Sequence, residues 1–296
     1  MLDGFEKWRM AGDGAEIFVQ VGGSGPPLLL LHGYPQTHLM WHQVAPDLAK
    51  RYTVVCPDLR GYGVSSAPSG TPDHANYSKR AMAKDMVAVM AGLGFRRFAA
   101  AGHDRGGRVL HRMCLDHPEQ VAAAAVLDIV PTRTVFAATS QALASGYYHW
   151  FFLSQPSPLP ERLISLDPGF WVRAKLERWS GTGLTAFHPE AVAAYVHAFT
   201  DPAVVHGTCE DYRAAASVDL EHDAADQDVR IGCPLLVLWG EQGLMHRQFD
   251  VLDTWRVKAS GPVTGQALAC GHFLPEEQPE RTQGALAEFL ARHWPA

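Results

Sequence analysis

The run Gly102-His103-Asp104-Arg105-Gly106 puts a carboxylate at the centre of a small-x-nucleophile-x-small pattern. A strand pattern, Arg97–Ala101, comes just before it, and a helical pattern starts at about Arg105. In that setting the two glycines permit a sharp turn that lifts the middle side chain above a sheet. The helix N-terminus favours the anion through its unpaired N–H groups, so Asp104 is expected to stay ionised. A carboxylate held this way has a distinctive use. It can attack an sp³ carbon in line with a leaving group and form an ester, which water then hydrolyses.

That chemistry needs a base, an acid to orient it, and donors for a developing oxyanion. His272, in Cys270-Gly271-His272-Phe273-Leu274-Pro275, follows the last strand pattern and is the candidate base. Two acids compete to orient it. Asp128 follows the strand Ala122–Leu127, and Glu241 is the only acid in Gly240-Glu241-Gln242-Gly243-Leu244, after the strand Pro234–Trp239. Asp128 is the preferred partner. Either acid keeps the chain order nucleophile, acid, histidine, but the loop after Pro234–Trp239 holds no Asp, whereas Asp128 directly follows its strand. Leu31-His32-Gly33-Tyr34-Pro35 follows another apolar strand, so the backbone N–H groups of Tyr34 and Arg105 are the expected oxyanion donors.

Arg105 and Arg108 stand three apart at the start of the elbow helix, where both can lean toward one face. An anionic substrate would be repelled by Asp104 unless its charge were neutralised, and arginine grips a carboxylate in a planar, bidentate way. The pair therefore points to a small carboxylic acid as substrate. The whole chain does not supply that attraction. Its formal net charge is -6, which offers no basic stripe for nucleic acid and leaves an anion to local cations.

These loops require strands alternating with helices. Strands are predicted at Glu16–Val21, Leu28–Leu31, Tyr52–Cys56, Arg97–Ala101, Ala122–Leu127, Pro234–Trp239 and Gly265–Ala269. Helices are predicted at Trp41–Arg51, Lys79–Leu93, from about Arg105, near Val251–Lys258 and at Pro279–Trp294. The order implies an α/β fold, a mostly parallel sheet with helices on both faces and its chemistry at the carboxyl ends of the strands. The stretch from about Pro131 to Ala225 breaks the alternation, is rich in aromatic residues and has helical patches such as Pro189–Phe199. It reads as a helical cap (131–225) inserted into a core of 1–130 and 226–296.

Apolar residues make up 47 % and charged residues 19 % of the 296 residues, as suits a globular core. No basic region followed by an apolar run opens the chain, and no apolar stretch is long enough to span a bilayer, so a cytoplasmic location without membrane contact is expected. The five scattered cysteines suit reduced thiols. His38 and His42 have helical spacing but no third ligand, so no metal is expected and an exposed helix face accounts for them.

The motifs together are specific. His103-Asp104-Arg105-Gly106-Gly107-Arg108, His32-Gly33-Tyr34-Pro35-Gln36-Thr37, Tyr148-His149-Trp150, Cys209-Glu210-Asp211-Tyr212-Arg213 and Gly271-His272-Phe273-Leu274-Pro275-Glu276-Glu277 resemble the fluoroacetate (haloacetate) dehalogenases of the α/β-hydrolase superfamily, over nearly the whole chain. The resemblance implies a cofactor-independent hydrolase with Asp104 as nucleophile, His272 as base and Asp128 as its partner. Arg105 and Arg108 would bind the substrate carboxylate, while His149, Trp150 and Tyr212 would donate hydrogen bonds to the departing halide. Trp179 matches a position facing the site, and a homodimer is implied. An imidazole, an indole and a phenol can together replace the hydration of a small anion. Arg133-Thr134-Val135-Phe136 and the loop Glu241-Gln242-Gly243-Leu244-Met245 depart from the family pattern and bear on substrate range.

Two other functions share parts of this pattern. An epoxide hydrolase uses the same Asp nucleophile but needs two cap tyrosines, such as Tyr212 with Tyr147 or Tyr148, and has no purpose for paired arginines. A non-catalytic small-molecule receptor on the same fold has no need of Asp104, Asp128 and His272 together.

Overall fold

The computed structural model describes residues 1–296. Its eight strands are β1 (Glu6–Ala11), β2 (Glu16–Gly22), β3 (Pro27–Leu31), β4 (Thr53–Pro57), β5 (Phe98–His103), β6 (Val121–Leu127), β7 (Leu235–Gly240) and β8 (Val263–Leu268). They form one sheet in the order β1-β2-β4-β3-β5-β6-β7-β8. Only the β1–β2 and β2–β4 pairings are antiparallel. The wholly buried β5 and β6 take the middle, because a strand covered on both faces reads as a continuous apolar run. At the far edge β8 alternates between exposed and half-buried positions until its last residue.

The first helices are α1 (Ala45–Leu48), α2 (Lys79–Gly92) and α3 (Asp104–Asp116). Between β6 and β7 come α4 (Thr132–Ala137), α5 (Gln141–Gly146), α6 (Tyr148–Leu153), α7 (Leu159–Leu166), α8 (Pro168–Trp179), α9 (Pro189–Ala198), α10 (Pro202–Ala215) and α11 (Val218–Ala225). The remainder are α12 (Leu244–Gln248), α13 (Val251–Arg256), α14 (Leu274–Glu277) and α15 (Pro279–His293). None is long and apolar enough to cross a membrane. One apolar cluster of 72 buried residues runs from the sheet into the inserted helices, taking in Leu153, Ile164 and Tyr212, so the insertion is packed onto the sheet rather than tethered to it.

Register sets the chemistry on one edge. Leu31 pairs with Gly102, His103 with Leu127, Leu127 with Leu238 and Gly240 with Leu268. The carboxyl ends of β3, β5, β6, β7 and β8 are therefore level, and Tyr34, Asp104, Asp128, Gly240 and His272 stand at or just beyond them along a single rim.

Three expectations need correction. The helix predicted over Trp41–Arg51 is instead a 3₁₀ turn at His38–Trp41 and the single turn α1. Pro46, which lacks an N–H, is tolerated only in a first turn, so the helix begins beside it at Ala45. His38 is not on an exposed face. It is 5 % exposed, and both its backbone N–H and its Nδ1 bind Asp58. The strand β1 has no counterpart in the predicted pattern, because it is mostly exposed and exists by pairing with β2.

Candidate active site

The turn after β5 is close-packed. Gly106 N–H donates to His32 O at 2.9 Å, and a Cβ on Gly106 would lie 2.5 Å from that oxygen, so only glycine lets α3 start this near β3. Asp104 carries the turn with φ +44°, and Asp128, at the end of the adjacent β6, has φ +50°. The left-handed region is uncommon for residues with a side chain, and both carboxylates are held in it next to each other on the sheet.

Asp104 is 6 % exposed. Its Oδ2 accepts the Tyr34 N–H at 3.0 Å. Burial opposes its ionisation, but His272, Arg105, His103 and Arg108 outweigh burial and hold its pKa below the usual carboxylate value. His272 Nδ1 lies 2.5 Å from Asp128 Oδ2, and the other oxygen of Asp128 accepts the Gly240 N–H at 3.0 Å. That geometry puts the proton of a neutral His272 on Nδ1 and leaves Nε2 with a free lone pair. Burial pulls the His272 pKa down. The hydrogen bond and charge of Asp128, with Asp104 adding, raise it above its ordinary value.

Of the two acids considered from sequence, Asp128 meets the histidine, while Glu241 is exposed. The end of β7 and the loop after it support the pair in other ways. Gly240 supplies the N–H on Asp128, and a Cβ on Gly243 would press within 3.3 Å of that carboxylate.

The two arginines are buried but differently committed. Arg105 is bound to Asp211 through Nε–Oδ2 at 2.8 Å and Nη2–Oδ1 at 2.7 Å, and to the Asp211 carbonyl at 3.0 Å. Its Nη1 is buried without a partner. Arg108 donates from Nη1 to Val130 O and Thr132 Oγ1, both at 3.0 Å, and its Nε is buried without a partner. Arg108 lies with its guanidinium 4.5 Å from the Trp150 ring centroid, and Arg105 lies 4.1 Å from that of Tyr212.

Those rings come from the inserted helices and roof the elbow. The His149 ring is 5.6 Å from Tyr212 and 4.4 Å from Trp179, and Trp150 is 6.2 Å from Tyr212. His149 Nδ1, Tyr212 Oη and Trp179 Nε1 are buried with no partner in the protein. Burial drives the His149 pKa well below its ordinary value, which keeps the imidazole neutral. Trp179 also faces the base, 5.8 Å from the His272 ring, and its carbonyl accepts the His272 N–H at 2.9 Å.

The fold supplies groups that the sequence patterns did not assign. Asp211 orients Arg105 and also binds Tyr62 and Lys79. His103 Nε2 lies 2.8 Å from His272 O and steadies the base loop, its own pKa pushed to about 3 by burial and His272. Both residues stand in the quoted motifs, so a buried-pair reading of each motif was the available signal. Tyr147 stacks on Trp150 at 5.7 Å, whereas Tyr148 turns outward with 37 % exposure.

A strand-end carboxylate, a histidine–aspartate pair and an inserted helical roof coincide with a family match: the description "alpha/beta hydrolase fold" fits residues 26–279. The chain belongs to the α/β-hydrolase fold family. A fluoroacetate dehalogenase of Burkholderia sp is 48 % identical over 98 % of this α/β hydrolase and 95 % of its own length. A soluble epoxide hydrolase of Corynebacterium sp. (strain C12) is 31 % identical over 94 % of the chain and 95 % of its own length. A crystal structure from Nostoc sp PCC 7120, provisionally classed as an α/β hydrolase, is 55 % identical. It superposes with a TM-score of 0.96 over 98 % of this chain and 99 % of that one.

Proposed function

We propose that this α/β hydrolase is a haloacetate dehalogenase, a hydrolase of carbon–halide bonds that converts a short 2-haloacid, with fluoroacetate foremost, to its hydroxyacid and halide. The observation that carries the reading is the combination around Asp104: two arginines with unpartnered N–H groups beside it, and three buried polar side chains with unpartnered atoms above it. A neutral substrate has no use for the first feature. The Burkholderia relative carries the substrate class to this chain.

In the proposed reaction Arg105 and Arg108 bind the haloacid carboxylate and turn its α-carbon toward Asp104. Oδ2 is engaged by the Tyr34 N–H, so Oδ1 is the attacking atom. The new C–O bond forms as the carbon–halogen bond breaks, and its electron pair leaves with the halide. His149, Trp150 and Tyr212 solvate the halide, with Trp179 beside them. His272 Nε2 then takes a proton from water, and the hydroxide adds to the ester carbonyl of Asp104. The charge develops on Oδ2, where the Tyr34 N–H already points and the Arg105 N–H, in the first turn of α3, adds a second donor. Collapse breaks the bond to Oδ1 and releases glycolate from a haloacetate, with His272 returning its proton to the departing oxygen. The remaining proton of the water leaves Asp104 for solvent, restoring the carboxylate. No cofactor enters the sequence of steps.

A cleft of about 370 Å³ reaches Asp128 and His272 past Tyr147 and Trp179, with Arg178 and Arg247 also on its walls. These cations answer the chain's net charge of -6 and suit the approach of an anion. A cap of residues 131–225 on a core of 1–130 and 226–296, assembly as a homodimer and a cytoplasmic location belong to the same proposal.

The test is halide release from fluoroacetate, with chloroacetate and styrene oxide in parallel, by wild type and Asp104→Ala. Fluoride and chloride release, both abolished by the substitution, is the expected result. Epoxide turnover without halide release would move the protein to the epoxide hydrolases. No turnover of any of the three would leave the receptor reading.

A further inference from the structure

The chain buries two lysines, and they are treated oppositely. Lys79 is 3 % exposed and pairs with Asp211 and Asp219. Lys175, in α8, is 2 % exposed, yet no carboxylate oxygen lies within 4.0 Å of its Nζ. A buried ammonium without a counter-ion is unfavourable, and one neutral hydrogen bond does not offset it.

Its surroundings are aromatic. Nζ sits 3.8 Å from the Trp171 ring centroid, 4.4 Å from Tyr148 and 6.0 Å from Trp179, and it donates to Tyr148 Oη. Each of these neighbours leads to the roof. Trp179 packs on His149 at 4.4 Å, Tyr148 precedes His149 in α6, and Trp171 Nε1 donates to the Tyr34 hydroxyl. The Lys175 charge also reaches His149, where it adds to the forces keeping that imidazole neutral.

We propose that Lys175 is a positioning residue that tunes the reaction for fluoride, its charge behind His149 and Trp179 acting as counter-ion to the halide as it forms. This rests on the dehalogenase reading. As the carbon–halogen bond breaks, negative charge moves from Asp104 toward the roof, and a cation behind the roof favours that movement at low local dielectric. Fluoride is the poorer leaving group, so its departure depends more on this stabilisation than that of chloride.

The charge state of Lys175 brings a pH signature. The groups facing it are Tyr148 and His149 of α6, Trp171, Arg178 and Trp179 of α8, and Tyr34 through Trp171. Of these only Arg178 is cationic. Burial, with Arg178 adding, draws the Lys175 pKa down to about 8. The cation is present below that pH and lost above it, so fluoroacetate turnover declines as pH rises through about 8.

The experiment measures kcat on fluoroacetate and chloroacetate for wild type, K175M and K175R across that pH range. Methionine matches the length of the lysine stem and suits an aromatic box, so the variant is expected to fold. K175M should lose about tenfold to a hundredfold on fluoroacetate, less than a direct halide donor can, and no more than about threefold on chloroacetate. K175R should stay within about threefold of wild type on both, with the alkaline decline displaced upward. Equal losses on the two substrates, or no loss, would overturn the proposal, as would an alkaline limb unmoved in K175R. The limb in K175R decides alone should K175M not fold. Wild type that releases neither halide would sink the dehalogenase reading instead. Fluoride and chloride binding, followed by tryptophan fluorescence, then decides Lys175: weaker fluoride binding in K175R's methionine counterpart K175M supports it, and equal binding overturns it.

Discussion

The floor and the roof of the site are built on opposite rules. On the floor, reacting groups are tied down: Asp104 to the Tyr34 N–H, Asp128 to His272 and the Gly240 N–H, and His103 to the His272 carbonyl. In the roof, His149 Nδ1, Tyr212 Oη and Trp179 Nε1 are buried and unpartnered. A buried polar group without a partner is destabilising by about 1–3 kcal/mol, so a cluster of them is tolerated where a ligand is to complete it. Groups that make and break bonds need fixed geometry. Groups that receive an ion need free donors.

The comparison breaks first on the floor. Asp104→Ala removes the only attacking atom, and halide release should fall by at least about 10⁴-fold, measured with a halide electrode. His272→Gln should divide the reaction. One halide per site is released, then turnover stops at roughly 10³-fold below wild type or lower, and intact mass spectrometry should find the acid moiety of the substrate on Asp104. If His272→Gln gave no burst and no adduct, the ester intermediate would be excluded. The wild-type acid limb follows from the same pair. Protonated His272 cannot accept a proton, and its pKa is raised, so kcat should fall as pH drops through a value above 6.5. Asp104, with a lowered pKa, stays ionised through that range.

The arginines sharpen the contrast between holding and receiving. Arg108→Met should lower kcat/KM for a haloacid by about 10²- to 10³-fold with little change in Tm, since Arg108 has no carboxylate partner within the chain. Arg105→Met leaves Asp211 with its charge less compensated, and should cost about 3–5 kcal/mol of stability, read by denaturant unfolding. Similar stability losses in both variants would erase the distinction. In the roof, Tyr212→Phe removes one donor at nearly constant volume. A fall of about 10²- to 10³-fold on fluoroacetate, smaller on chloroacetate, with Tm unchanged, is expected. Glu241→Gln, exposed and away from His272, should change kcat/KM by less than about twofold, and a larger loss would reopen its claim as the orienting acid.

Strands bearing long apolar runs were legible because burial on both faces leaves no alternative composition, as in β5 and β6. The edge strand β1 was not, since it is mostly exposed and depends on β2 for its hydrogen bonds. The failure at Trp41–Arg51 has a local cause in Pro46. The role of the end of β7 and the loop after it was hidden for another reason. Gly240 acts through its backbone N–H, and Gly243 through the side chain it lacks.

The residue types at strand ends, Asp104 between glycines and His272 after the last strand, determined the kind of chemistry and its order along the chain. These are local patterns, and a strand followed by a turn and a helix forms from neighbours in sequence. The preference for Asp128 over Glu241 was also legible, but only the tertiary structure brought Asp128 onto His272 across 144 residues, joined Arg105 to Asp211 across 106, and left Lys175 without a counter-ion. Such pairings are fixed by strand register and by packing of the inserted helices on the sheet. Residue spacing along the chain carries neither.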